Sequence, residues 1–180
     1  MTPYTKFLEN EEIFLRAPEP EDLEVMYDLE NDSSLWSVGC TNAPYSRHHL
    51  RQYIENVTGD IFTDKQLRFM IERRTDHQVI GCIDLTAFDP LNARAEVGIA
   101  IRAQYRKQGY GRMALDLLCR YAFHFLHLHQ LIAIIPYGNE ASIRLFQRQG
   151  FVVSHTLKDW LCSPDGAFTD AVMTQCIMGK

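Results

Sequence analysis

Glu96-Val97-Gly98-Ile99-Ala100-Ile101 leads, after three residues, into Tyr105-Arg106-Lys107-Gln108-Gly109-Tyr110-Gly111-Arg112. The first segment is an apolar run that predicts a strand. Beyond the second, Ala114, Leu117, Leu118, Tyr121, Ala122 and Phe125 recur at spacings of three and four, which predicts a helix reaching about Leu126. A glycine-bearing turn that feeds a helix leaves several backbone N–H groups pointing into one pocket, and the helix dipole adds partial positive charge there. Arg106, Lys107 and Arg112 bring mobile positive charge to the same place. The stretch reads as a grip for a phosphorylated cofactor.

Two well-known phosphate grips fit it poorly. A P-loop needs Lys and then Ser or Thr after its last glycine, whereas Arg112-Met113 follow here. Gly109-x-Gly111-x-x-Ala114 formally satisfies the dinucleotide fingerprint, but that fingerprint opens at the end of its strand, and seven residues separate Ile101 from Gly109. It also asks for an acid about twenty residues on, where Gln130-Leu131-Ile132-Ala133-Ile134-Ile135 carries none.

Working outward, the rest of the chain alternates without repeats. Leu15 marks a first strand, and Glu21–Glu30 a helix with Pro20 at its first turn. Residues 31–45 read as irregular, and Ser46–Val57 as a second helix capped by Ser46. Arg68–Arg73 and Val79–Leu85 form a hairpin across Thr75-Asp76-His77. A strand over Ala95–Ile101, the loop, the long helix, a strand over Leu131–Ile135 and a helix over Glu140–Gln149 come next. Strands over Phe151–Leu157 and Phe168–Ile177 close the chain, joined by a turn containing Ser163-Pro164-Asp165-Gly166. Strands before and after an embedded βαβα unit give an α/β architecture with a mixed sheet and helices on both faces.

Arg106-x-x-Gly109-x-Gly111 resembles the R/Q-x-x-G-x-G/A loop with which the GNAT family of N-acetyltransferases grips the pyrophosphate of acetyl-CoA. Asn139-x-x-Ser142 followed by Leu145-Phe146-x-x-x-Gly150-Phe151 resembles the family's second cofactor element. Phe14-Leu15-Arg16 running to Asp22-Leu23 resembles its entry strand and helix. The likeness covers about residues 12 to 178 of a chain read as a single domain over residues 1–180, and the layout is most similar to the spermidine/spermine and ribosomal-protein branch. It implies a mostly antiparallel mixed sheet of about seven strands and acetyl-CoA as cosubstrate. It also implies cofactor contacts from the backbone of Ile99, Ala100 and Ile101, from the loop Arg106, Lys107, Gln108, Gly109, Tyr110, Gly111 and Arg112, and from Asn139.

Acetyl transfer requires a neutral amine, yet an alkyl amine titrates near 10.4, so a base must take a proton. Glu96, on the strand that carries the cofactor contacts, is the candidate base; an acid paired with Arg94 is the alternative, and water the competitor. Many relatives carry a tyrosine as general acid where Phe146 stands, seven residues after Asn139. Phe146 is then a channel wall or a core residue, with Tyr110, Cys40 and Tyr137 as substitutes. With the leaving thiolate protonated by water or another residue, Phe146→Tyr is expected to leave the rate unchanged or raise it, provided that the hydroxyl fits; a large fall in kcat would show that Phe146 shapes the channel. The polyamine enzymes place adjacent acids between their first two helices, but Cys40-Thr41-Asn42-Ala43-Pro44-Tyr45 has none, although Glu30 and Asp32 stand nearby.

Composition narrows the partners. A net charge of −5 argues against nucleic acid and suits a cationic partner. No run approaches the ~20 apolar residues that span a bilayer. Five widely spaced cysteines, without C-x-x-C, fit reduced thiols in a cytoplasmic protein. His124, His127 and His129 lack the zinc-protease spacing, so no metal is expected. The expectation is an N-acetyltransferase for a small primary amine such as a polyamine, with a peptide N-terminus or a weakly active acyl-CoA-binding domain as alternatives, and a homo-oligomer as a further possibility.

Overall fold

The computed structural model describes residues 5–32, 43–163 and 166–179. Trp36, Cys40 and the first part of the acid-free stretch lie outside the described residues. Seven strands form one sheet: β1 (Ile13–Arg16), β2 (Leu67–Arg73), β3 (Val79–Asp89), β4 (Arg94–Ile101), β5 (Gln130–Pro136), β6 (Val152–Cys162) and β7 (Phe168–Ile177). Their order is β1-β2-β3-β4-β5-β7-β6, and only β4 and β5 run parallel. This is the mostly antiparallel mixed α/β sheet that the sequence implies. The helices are α1 (Thr5–Leu8), α2 (Leu23–Glu30), α3 (Arg47–Asn56), α4 (Ile61–Asp64), α5 (Tyr110–His124) and α6 (Glu140–Gln147). The four-residue helices α1 and α4 are additions to the expected set, as is the extension of β6 to Cys162.

Local chemistry sets the ends of these elements. Ser46 caps α3 by accepting the His49 N–H at 3.1 Å, and Asn139 caps α6 by accepting that of Ser142 at 3.1 Å. Pro20 opens a 3₁₀ turn, whose capping acid Asp22 also takes two bonds from Arg16 at 2.6 and 2.9 Å. Arg16 further bonds the buried Glu72 of β2 at 2.5 Å, locking β1 and the entry to α2 onto the sheet. Buried charge is stable only when paired in this way.

The two faces of the sheet divide the core. Ala114, Leu115, Leu117, Leu118 and Ala122 of α5 are fully buried against Ala95 and Val97 of β4, with Phe146 of α6 in the same cluster. Each of the leucines contributes roughly 1.5–3 kcal/mol by leaving water, so this stripe holds α5 to the sheet. On the other face Met26 and Leu29 of α2 and Leu50 of α3 pack on Met70 and Cys82. Side chains alternate along a strand, so Ala95, Val97, Ile99 and Ile101 face α5 while Glu96, Gly98 and Ala100 face the α2/α3 side.

Candidate active site

β4 and β5 pair only at Arg94↔Gln130, Ala95↔Leu131 and Glu96↔Ile132. Beyond Glu96 they part: β4 stays with β3 as far as Gly81↔Ile101, and β5 stays with β7 as far as Pro136↔Ala171. A wedge opens in the middle of the sheet. The Arg102 N–H donates to the Ile80 carbonyl at 2.9 Å, which sets the antiparallel alternation along β4. Even-numbered residues there bond to β3, so Ile99 turns its N–H and C=O into the wedge and Ile101 its N–H, the Ile101 carbonyl being taken by Arg106. Ala100 directs its main chain to β3 and its side chain to the α2/α3 face. Of the three β4 residues the sequence singles out, Ile99 and Ile101 therefore present backbone to the opening.

The glycine loop stands at the end of this wedge. Lys107 and Gly109 both adopt left-handed backbone, with φ of 63° and 92°. Consecutive turns of this kind gather N–H groups into a concave nest that suits an anion. Gly109 serves as N-cap of α5 without a capping side chain, and its carbonyl accepts from Arg112 and Met113 at 3.1 and 3.2 Å. The N–H groups of Gly109, Tyr110 and Gly111 meet no acceptor among the described residues, as expected for a helix start. Gly111 sits over the strand and α6: a methyl group there would lie 3.5 Å from Leu145 and 3.8 Å from Ile101. Lys107, Gln108 and Arg112 are exposed. Arg106 folds back instead, its Nε donating to the Ile101 carbonyl at 2.8 Å and its Nη2 lying 3.9 Å from Asp32. Its guanidinium thus fixes where strand becomes loop. The donor set of nest, helix start and exposed cations fits a diphosphate, and the unpaired β4 backbone fits an amide-bearing arm.

Glu96 lies on the α2/α3 face at the point where the strands separate. Arg94 pairs with Asp89 at 3.1 Å, and Glu96 has no ion pair among the described residues. Half-burial raises its carboxyl above the ordinary 4.5, with desolvation as the cause. Diagonally across from it, Asp84 pairs with Gly98, whose missing side chain leaves space above the sheet. Asp84 accepts two bonds from Arg68, at 3.0 and 2.9 Å, and Arg68 also bonds Glu30 at the end of α2. This Glu30–Arg68–Asp84 bridge has no signature in the sequence, because its members lie 38 and 16 residues apart. Glu96 stands on the same face of the sheet, two residues along β4 from Gly98, so it and the two bridge carboxylates share one side of the sheet, an acidic floor that suits a cation.

Asn139 occupies its capping role, at the start of the helix that carries Leu145 over the loop. Phe146 proves to be a core residue: it is 2% exposed and meets Phe151 edge to face at 4.9 Å. Phe146→Tyr would bury a hydroxyl among rings, at a cost of about 1–3 kcal/mol, and is expected to lower the melting temperature by a few degrees. The proviso that the hydroxyl fits is therefore not met without cost, and a thermal melt of the variant checks it. Among the substitute acids, Tyr110 takes a bond from Arg73 at 3.4 Å, and Tyr137 is exposed. Among the described residues no group of three or more His, Cys, Asp and Glu is placed to hold a metal, and no helix is long and apolar enough to cross a membrane.

Known proteins resemble this chain in sequence and in fold. The spermidine N(1)-acetyltransferase of Escherichia coli K12 is 29% identical over 147 residues, covering 79% of this chain and 74% of its own. A putative ribosomal N-acetyltransferase of Bacillus subtilis is 28% identical over 169 residues, covering 84% of each chain. The crystal structure of the Vibrio cholerae spermidine N-acetyltransferase in complex with CoA and spermine superposes with a TM-score of 0.85 at 23% identity, over 95% of this chain and 98% of that one. The family profile described as the acetyltransferase (GNAT) domain matches residues 12–152, and the chain belongs to this family of N-acetyltransferases.

Proposed function

We propose that this acetyl-CoA-dependent N-acetyltransferase acetylates a small cationic primary amine, of which a polyamine is the best-supported example. The observation that carries the reading is the half-buried Glu96, without an ion pair among the described residues, at the apex of the wedge and on the same face as the Glu30–Arg68–Asp84 bridge. Acetyl-CoA is the cosubstrate: the nest at Lys107–Gly111, with Lys107 and Arg112, takes its diphosphate, and the free β4 backbone at Ile99 and the Ile101 N–H take the pantetheine amides and thioester carbonyl. The acidic floor receives an ammonium group, and Glu96 accepts its proton directly or through water. A raised carboxyl pKa brings this base closer to neutral pH, where proton transfer is more effective. The amine nitrogen then attacks the thioester carbon, forming the amide and releasing CoA thiolate. An ordinary thiol pKa near 8.5 makes that a competent leaving group without a dedicated acid, consistent with the buried Phe146. The spermidine acetyltransferases among the relatives support a polyamine acceptor.

The test is thiol release from acetyl-CoA with a panel of polyamines, amino-acid amides, aminoglycosides and ribosomal-protein N-terminal peptides. Turnover with spermidine or a comparable diamine at the highest kcat/KM is the expected result. Turnover confined to peptide N-termini would overturn the small-amine reading in favour of protein acetylation. Acetyl-CoA binding without turnover on any amine would mark a binding domain instead.

A further inference from the structure

Arg73 closes β2 at the hairpin turn, far in sequence from the cofactor loop, yet it touches both flanks of that loop. Its guanidinium carbon lies 5.0 Å from the ring centre of Tyr105, and its Nη1 donates to the Tyr110 hydroxyl at 3.4 Å. Tyr105 and Tyr110 bracket Arg106–Gly109, the segment that carries the left-handed turns. Asp76 sets the guanidinium for this task by accepting from Nε and Nη2 at 2.9 and 2.6 Å. On the same Tyr105 ring, Arg102 approaches to 6.0 Å while its Nη1 donates to the Val79 carbonyl at 3.1 Å. The hairpin turn is thereby fastened to the loop at two aromatic points. An exposed ion pair contributes little, but the Arg73 side chain is only 22% exposed, and its flat guanidinium stacks as an ammonium could not.

We infer that Arg73 is a positioning residue for the cofactor loop, holding the Tyr105 and Tyr110 flanks so that the Lys107–Gly111 N–H groups converge before ligand arrives. This rests on the reading of that loop as the acetyl-CoA diphosphate grip. Preorganisation of this kind lowers the ordering cost of binding and leaves the chemical step alone. Arg73 reaches neither Glu96 nor the acidic floor, so its loss shows in cofactor affinity and not in turnover.

The experiment is calorimetric titration of acetyl-CoA, with steady-state kinetics, on wild type, Arg73→Met, Arg73→Lys and Asp76→Asn. Arg73→Met is expected to weaken acetyl-CoA binding about five- to twentyfold, the range of one to two stacking and hydrogen-bond contacts. Its kcat at saturating acetyl-CoA and its amine KM are expected to stay within twofold. Arg73→Lys, which keeps charge but not the planar fork, is expected to behave like the methionine variant, and Asp76→Asn to shift affinity the same way by less. Hydrogen exchange is expected to quicken at Lys107–Gly111 and stay unchanged over Leu115–Ala122. Full affinity in Arg73→Lys would reduce the residue to a general charge and overturn the inference. Unchanged affinity in Arg73→Met would overturn it too, as would a loss matched by faster exchange throughout α5. If Arg73→Met fails to fold, Asp76→Asn carries the same comparison. Wild-type protein that fails to bind acetyl-CoA would overturn the cofactor reading itself, and this inference with it.

Discussion

Glu96→Gln is expected to lower kcat/KM for the amine by about a hundredfold or more at neutral pH, in the range general bases contribute. Glutamine keeps the size and hydrogen-bonding reach of the side chain but neither binds the ammonium by charge nor accepts its proton. The cofactor nest lies beyond the other end of β4, so the acetyl-CoA KM is expected to move little. The pH profile adds a second check. Desolvation raises the Glu96 carboxyl above 4.5, so the base is protonated, and the acid limb of kcat/KM falls, at higher pH than an exposed glutamate would give. In Glu96→Gln that limb disappears, and rising pH partly rescues the rate because more amine arrives neutral. A variant within threefold of wild type, with the acid limb intact, would assign the proton transfer to water.

Gly109→Val is expected to weaken acetyl-CoA binding at least tenfold while the sheet and α5 persist. Position 109 has φ of +92°, a conformation costly for any residue with a Cβ and most costly for a β-branched one. Space is not the obstacle, since a Cβ there would meet only the flexible end of Met113 at 3.5 Å. Relief comes by rotating the turn, which swings the Gly109–Gly111 N–H groups out of convergence. Gly109→Ala tests that reasoning, because it keeps the left-handed strain with less bulk and is expected to lose affinity by a smaller factor. Titration showing wild-type affinity in a folded Gly109→Val would remove the nest from the cofactor site.

The order of strands and helices from Leu15 to Ile177 was legible in the chain because periodicity and caps are local properties. The apolar stripe from Ala114 to Tyr121, Ser46 as a cap, and the glycine turn at 109 all act within a few residues, and all appear as read. The four-residue helices Thr5–Leu8 and Ile61–Asp64 were not legible, since one turn is too short to show a period. Nor was the full length of β6, which runs through an irregularity between Leu157 and Leu161.

What carries the site beyond its loop came from pairing and packing. The parting of β4 from β5 after Glu96 is a matter of register between strands 36 residues apart, and it leaves Ile99 and Ile101 facing the opening while the pairing with β3 commits Ala100 to that strand. Arg68 meets Glu30 and Asp84, and Arg73 meets Tyr105 and Tyr110, only because the sheet brings β2 beside β3 and under the loop. Phe146 could have lined the channel or filled the core, and its edge-on contact with Phe151 decided for the core. Short-range forces thus determined the elements and the phosphate-gripping turn from sequence alone. The acidic floor, the half-buried base and the Arg73 clamp depended on contacts that exist only once distant segments share one sheet.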